Sequence, residues 1–172
     1  MKSKEIKKFK KILVANRGEI AIRIFRACTE LGIGTVAVFS KEDKYAMFRT
    51  KADEAYLLNP EKGPVDAYLD IDTIIRIAKE HHVDAIHPGY GFLSENPEFA
   101  EACVKSGIEF IGPTADMMRA MGDKISSKKM AMEAEVPTIP GIDHAVTGYG
   151  EVEKAAEFIG YPIMLKDRKS VV

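Results

Sequence analysis

The sequence of 172 residues has little of what marks secreted, membrane or nucleic-acid-binding proteins. Its two cysteines, Cys28 and Cys103, fall within helical patterns. We therefore interpret them as small buried residues in a reducing compartment, not as a disulfide or metal site. No apolar run reaches transmembrane length, and no signal-peptide core follows Met1. The net charge of −1 gives no reason to expect a nucleic-acid or membrane partner, and a cytoplasmic location is expected.

Two common binding patterns are also missing from the chain. Asn16-Arg17-Gly18 could top a first strand, but the Gly-x-Gly-x-x-Gly pattern of a phosphate-binding turn is absent. We expect a structural turn there, lining an active-site cleft. His81 and His82 are adjacent on a predicted helix, so their side chains point about 100° apart and a shared metal ion is not expected.

Apolar runs alternate with helical patterns, which predicts an α/β fold with a parallel sheet and crossover helices. Strands are predicted near residues 11–15, 35–39, 54–58, 84–87 and 109–111. Helices are predicted near 19–31, 71–82 and 97–106, as a longer pair around 115–135, and near 151–159, before a last strand at 162–166. We expect a first domain over 1–113, connecting helices over 114–135 and a second unit over 136–172.

The segment HPGYGFLSEN at residues 87–96 is the most informative part of the sequence. Its proline and two glycines favour a tight loop after a strand, and Ser94 could cap the next helix. Loops at the carboxyl ends of parallel strands are where such folds bind ligands. Two interpretations of His87 and Glu95 stay open here. They could hold the loop by hydrogen bonds, or they could face a ligand with Tyr90.

The first predicted helix carries two different surfaces. On a helical wheel an apolar stripe faces the sheet, formed by Ile20, Ala21, Ile24, Ala27, Cys28 and Leu31. Arg23, Arg26 and Glu30 fall together on the opposite side. Phe25 lies between the two stripes, so the apolar surface is wider than one core requires. The arrangement suits either a solvated polar face or a subunit interface with a charged centre and an apolar flank.

Two lysines stand in positions that could carry chemistry. Lys124 begins a predicted helix, and Lys166 ends the apolar run Ile163-Met164-Leu165. A buried ammonium group needs a partner, because an isolated charge in an apolar environment is costly. Without further information, ordinary surface lysines would be the default interpretation of both.

Two motifs, in this order, carry a resemblance to a known family. KILVANRGEIAIR at residues 11–23 and HPGYGFLSEN at 87–96 resemble the amino-terminal domain of biotin carboxylase. This is the ATP-dependent component of pyruvate, acetyl-CoA and propionyl-CoA carboxylases. The resemblance covers about residues 8–166 and includes MGDK at 121–124 and GYP at 160–162. The segment 40–68 is most similar to the pyruvate carboxylase branch of the family.

The resemblance implies a Rossmann-like domain of the kind that precedes ATP-grasp folds, followed by the start of an ATP-grasp unit. It implies that biotin, held on a carrier domain, is carboxylated with ATP and bicarbonate, and ATP chemistry implies Mg²⁺. A carboxyltransferase domain would pass the carboxyl group to pyruvate, and in a eukaryote the location would be the mitochondrial matrix. The alternatives are an acetyl-CoA or propionyl-CoA carboxylase subunit, another ATP-grasp ligase, or a non-catalytic dimerising module.

The resemblance also implies roles for particular residues. Lysines matching Lys124 and Lys166 contact ATP phosphates, where their charge offsets negative charge on the transferred group. The loop of His87, Tyr90 and Glu95 would lie at the bicarbonate and biotin end of the cleft. Residues matching the charged stripe of the first helix lie at a dimer contact, so a homodimer through Arg23, Phe25, Arg26 and Glu30 is expected.

The carboxyl end of the sequence departs from the family pattern. No glycine run follows Lys166, and the family's later catalytic glutamates, lysine and arginines have no counterpart. We therefore expect a fragment of a larger protein that contains no catalytic residue and is inactive alone. Whether the last six residues are native stays open.

Overall fold

A computed structural model of the protein describes residues 8–122, 124–142, 144 and 146–165, with the side chains of Lys124 and Ile125 excepted. The chain divides into two compact units, one ending at Arg119 and the other beginning at Ala120. None of the described helices is long and apolar enough to cross a membrane.

The first unit is built on a five-stranded sheet in the order β3-β2-β1-β4-β5. The strands are β1 (Lys11–Val14), β2 (Gly34–Phe39), β3 (Glu54–Leu57), β4 (Ala85–His87) and β5 (Glu109–Phe110). All four pairings are parallel. The predicted parallel α/β sheet is therefore confirmed, and each of the five strands predicted for this unit is present with its ends shifted by at most one residue.

Three helices and short 3-10 turns connect the strands of this unit, and a fourth helix follows the last strand and continues past Arg119. The helices are α1 (Gly18–Glu30), α2 (Ile71–Glu80), α3 (Pro97–Lys105) and α4 (Ala115–Gly122). The 3-10 turns span Glu42–Tyr45, Met47–Lys51 and Asp66–Leu69. The predicted cap at Ser94 was wrong, because the Asn96 side chain accepts a hydrogen bond from the Phe99 amide at 2.9 Å. A cap must directly precede the first helical turn, and α3 begins at Pro97.

The sheet has an apolar core on each face. Successive residues of β1 point to opposite sides, so Leu13 joins the larger core and Val14 joins the core beneath α1. Ala21 and Phe25 pack into that second core. The predicted apolar stripe of α1 was therefore partly wrong: Phe25 is only 1% exposed, whereas Leu31 is 75% exposed.

The order of the strands places a topological switch point beside β1. After β1, the chain forms β2 on one side of β1. It later crosses over and forms β4 on the other side of β1. In open parallel sheets, ligands bind in the crevice outside the carboxyl ends of the strands at such a point. The turns after Val14 and His87 are therefore the first place to look for a site.

The second unit contains α5 (Lys124–Glu133) and α6 (Tyr149–Ile159), which confirm two predicted helices. The Thr147 amide donates a hydrogen bond to Glu151 Oε2 at 2.8 Å, and this contact stabilises the start of α6. The described residues 162–165 of the predicted last strand are not in a strand. A strand needs a hydrogen-bonded neighbour, and the described part of this unit contains none.

Candidate functional site

A crevice of about 400 Å³ lies at the switch point of the sheet. One wall is the turn from β1 into α1, and the other is the loop that follows β4. The lining residues are Asn16, Arg17, Gly18, Glu19, Ile20, Tyr90, Gly91 and Phe92. The two sequence motifs, which are more than sixty residues apart in the chain, therefore form one crevice.

Asn16 joins the two walls. Its side chain is 1% exposed, and its amide nitrogen donates to the carbonyl oxygens of Pro88 and Tyr90, both at 2.8 Å. Its side-chain oxygen accepts a hydrogen bond from the Arg17 amide at 2.9 Å. One asparagine thus satisfies two loop carbonyls and the first amide before α1, which no aliphatic side chain could do.

Gly89 allows the two walls to approach closely. Its φ is +70°, and a Cβ atom there would lie 2.6 Å from Asn16 Nδ2 and 2.8 Å from Ile20 Cγ2. Both the backbone conformation and the lack of space therefore require glycine. Gly91 also has a positive φ, of +72°, but a Cβ atom there would meet no atom within 4 Å.

Arg17 is held by a buried carboxylate behind the crevice. Its Nη2 donates to Asp43 Oδ1 at 2.7 Å, and its guanidinium is 44% exposed. The guanidinium also lies 5.9 Å from the centre of the Tyr68 ring, at the outer range of a cation–π contact. The charge of Arg17 is thus fixed at the edge of the crevice and partly open to it.

Tyr68 is fully buried behind the same crevice. Its hydroxyl donates to Asp43 Oδ2 at 2.8 Å and accepts from the Ser40 amide at 3.3 Å. Its ring stacks on Phe92 with centroids 5.0 Å apart. Burial raises the pKa of the Tyr68 phenol well above its usual value, so the hydroxyl stays protonated and donates.

The three predicted loop residues occupy different positions. Tyr90 lines the crevice and is 80% exposed. His87 does not line it: its Nδ1 accepts from the Gly89 amide at 3.0 Å, and burial lowers the pKa of its imidazole. Glu95 is exposed before α3 and is not among the residues that line the crevice. The structure therefore shows a loop-holding contact for His87 and an accessible surface for Tyr90.

The four residues of α1 that were predicted to form a dimer contact differ in their exposure to solvent. Arg23, Arg26 and Glu30 are exposed, and Arg26 Nε lies 3.2 Å from Glu30 Oε1. Phe25 is buried in the core beneath α1, so it is not part of that exposed surface. This corrects its predicted place, since its position on the wheel lies beside Ala21 and one turn from Cys28, which are both buried.

The side chains of the two predicted phosphate-binding lysines lie outside the described part of the structure. Lys124 begins α5, but only its backbone belongs to the described part of the chain. Lys166 lies outside the described residues. Within the described ranges, no three His, Cys, Asp or Glu side chains come together as a metal site would require.

Sequence analysis missed Asp43 and Tyr68. No motif spacing connects residues 17, 43 and 68, because their contact depends on how three strand-end segments meet. Asn16 was predicted only as part of a structural turn. A buried polar residue directly after an apolar strand was the one signal available for it.

Comparison with known proteins identifies the family. Residues 8–118 match the family model described as biotin carboxylase, N-terminal domain. The chain belongs to the biotin carboxylase family. Residues 123–171 match the ATP-binding domain of the carbamoyl-phosphate synthase L chain, which confirms the predicted start of an ATP-binding unit.

The curated relatives of this biotin carboxylase chain include pyruvate carboxylases. The mitochondrial enzyme of Homo sapiens is 54% identical over 162 residues, covering 94% of this chain and 14% of the relative. The enzyme of Bacillus subtilis is 58% identical over 156 residues, covering 91% of this chain and 14% of the relative. The chain thus matches the biotin carboxylase portion of pyruvate carboxylases, and spans about one seventh of their length.

Solved structures give the same family. A complete multifunctional pyruvate carboxylase from Rhizobium etli is 55% identical with a TM-score of 0.74, covering 77% of this chain and 14% of that one. The biotin carboxylase domain dimer of Hydrogenobacter thermophilus 2-oxoglutarate carboxylase, in complex with MgADP, ADP and bicarbonate, is 48% identical with a TM-score of 0.82. The match covers 91% of this chain and 34% of that one.

Proposed function

We propose that the chain is the amino-terminal part of the biotin carboxylase component of a pyruvate carboxylase. The parent enzyme would use ATP and bicarbonate to carboxylate biotin on a carrier domain, and a carboxyltransferase domain would pass the carboxyl group to pyruvate. The identity of 54% over 162 residues to the human enzyme carries the proposal. A location in the cytoplasm, or in the mitochondrial matrix of a eukaryote, belongs to the same proposal.

The crevice has the chemistry expected for part of the biotin and bicarbonate end of the site. Tyr90 and Phe92 offer aromatic surface, Ile20 adds an aliphatic wall, and Arg17 supplies a fixed positive charge. Small-molecule sites combine such apolar walls with a few fixed polar groups. A solved relative binds MgADP and bicarbonate, which supports these ligands for the family.

The proposal assigns roles to two of the predicted loop residues and to both predicted lysines. Tyr90 contacts the ligand, while His87 keeps the loop in place through the Gly89 amide. Lys124 and Lys166 bind ATP phosphates, because a fixed ammonium group offsets charge on transferred phosphoryl oxygens. We assign no Mg²⁺ ligand to the described residues, since no suitable set comes together among them.

The proposal includes a homodimer, but its contact surface on α1 no longer includes the buried Phe25. Arg23, Arg26 and Glu30 present charges of both signs on one exposed face of α1. A two-fold contact uses the same patch twice, so arginine and glutamate can pair across the axis. A related biotin carboxylase domain has been solved as a dimer, which supports the assignment.

Steady-state kinetics of the full-length enzyme that contains this chain would test the proposal. Lys124→Ala and Lys166→Ala should each weaken use of ATP by about 1–3 kcal/mol in kcat/KM, the range for hydrogen bonds to charged groups. Lys105→Ala is the control, because Lys105 is exposed and forms an ion pair with Glu101 on the surface of α3. Unchanged kinetics in both variants would reject the lysine assignments.

The same enzyme distinguishes pyruvate from other acceptors. ATP- and bicarbonate-dependent carboxylation of pyruvate, but not of acetyl-CoA or propionyl-CoA, is the expected result. A preference for either coenzyme A ester would instead place the chain in another branch of the biotin-dependent carboxylases.

A further inference from the structure

A network of Arg17 with the buried residues Asp43 and Tyr68 connects the two walls of the crevice. Asp43 accepts from Arg17 on one carboxylate oxygen and from Tyr68 on the other, at 2.7 and 2.8 Å. Tyr68 in turn stacks on Phe92, which belongs to the opposite wall. The chain of contacts therefore runs from the α1 turn, through the segment after β2, to the loop after β4.

We propose that Asp43 and Tyr68 are positioning residues that hold Arg17 and Phe92 in place across the ligand crevice. The inference rests on the proposed function in one respect, namely that the crevice binds a ligand. It concerns residues that touch no ligand themselves, since neither Asp43 nor Tyr68 lines the crevice.

The carboxylate of Asp43 is suited to this role. It is buried, and its two oxygens face different partners, with Ser40 Oγ also 3.4 Å from Oδ2. Hydrogen bonds to a charged acceptor are shorter and stronger than neutral ones. The guanidinium of Arg17 is thus held by the Asp43 carboxylate, with the Tyr68 ring 5.9 Å away.

The backbone conformation of Phe92 is a second reason to expect contacts that hold this residue in place. Phe92 has a φ of +44°, a conformation that residues other than glycine seldom adopt. Such a conformation persists only where surrounding contacts impose it. The stacked Tyr68 ring, with an interplanar angle of 14°, is one such contact.

Two conservative variants separate the parts of the network. Tyr68→Phe keeps the ring that stacks on Phe92 and removes the hydroxyl, while Asp43→Asn keeps the shape and removes the charge. Tyr56→Phe is the matched control, because the Tyr56 hydroxyl also donates to a carboxylate, that of Glu54 at 2.6 Å. Glu54 begins β3, an edge strand, whereas the crevice lies at the carboxyl ends of the central strands β1 and β4.

Amide hydrogen exchange on the 172-residue chain measures the holding role. Exchange in residues 16–20 should be about fivefold faster or more in Asp43→Asn, because Arg17 loses its charged partner. Exchange in residues 90–93 should rise by about the same factor in Tyr68→Phe, because the ring beneath Phe92 is no longer anchored to Asp43. In both variants α2 should be unchanged. The control should leave both segments as in the parent chain. A uniform acceleration over the whole unit, or no change in these segments, would show that Asp43 and Tyr68 are ordinary core residues and overturn the proposal.

Kinetics of the full-length enzyme separate this inference from the proposed function. In Asp43→Asn the KM for biotin or bicarbonate should rise by roughly threefold or more while the KM for ATP stays constant. Faster local exchange with all KM values unchanged would overturn the assignment of the crevice as a ligand site. The same result would still support the role of Asp43 and Tyr68 in positioning Arg17 and Phe92. An enzyme without carboxylase activity even in its unmodified form would reject the proposed function alone.

Discussion

Asn16 donates a 2.8 Å hydrogen bond to the carbonyl oxygen of Tyr90, a residue 74 positions further along the chain. The same amide group donates to Pro88, so a single buried side chain fixes the loop against the turn into α1. The crevice therefore depends on a polar contact as much as on apolar packing.

Replacement of Asn16 by alanine should destabilise the first unit by about 2 kcal/mol, because it leaves loop carbonyls without a donor. Asn59→Ala is the control, since Asn59 is half-buried and its longer 3.4 Å contact to Asp70 leads away from the crevice. The control should cost less than about 1 kcal/mol. Urea unfolding of the three chains measures the difference, and equal losses would contradict a special role for Asn16.

The two loop glycines should respond very differently to alanine. Gly91→Ala should cost about 1–2 kcal/mol, because only the left-handed backbone opposes the new side chain. Gly89→Ala should cost about 1–3 kcal/mol more, since its Cβ would also overlap Asn16 and Ile20. Similar midpoints in thermal or urea unfolding would mean that the loop relaxes away from Asn16.

The central strands of the sheet were predictable because β1 and β2 are short, mainly apolar runs bounded by turn residues. Helical periodicity gave the existence of α1, but the wheel alone could not decide whether Phe25 faces solvent or the core. Whether Phe25 is buried depends on Phe39 and Phe48, which belong to other elements and form the same apolar cluster. Asp43 and Tyr68 escaped prediction for the same reason, since a tertiary contact between three loops has no sequence period.

The stability of the first unit should fall as the pH drops from 7 toward 5. The ordinary pKa of histidine is 6.5, and burial lowers the pKa of His87 in the folded chain. The unfolded chain therefore binds a proton at a pH where folded His87 stays neutral, which favours unfolding below about pH 6.5. Above that pH neither state is protonated, and the contribution of His87 is constant.

A His87→Asn variant tests this dependence on one residue. Asparagine offers an oxygen acceptor to the Gly89 amide and does not titrate in this range. Free energies of unfolding measured by urea at pH 7 and pH 5 should show a smaller decrease in the variant than in the parent chain. Equal decreases in both would assign the pH dependence to other groups.

The charged face of α1 should control self-association. Glu30→Arg places like charges where Arg23 and Arg26 of a second copy are expected, and this should shift the equilibrium toward monomer. Glu80→Arg is a matched control, because Arg76 and Glu80 form the same exposed pair, one helical turn apart, on α2. Sedimentation of the three chains at increasing concentration is the measurement. If the parent chain stays monomeric, or if both variants dimerise as it does, the exposed arginines of α1 are only a solvated helix face.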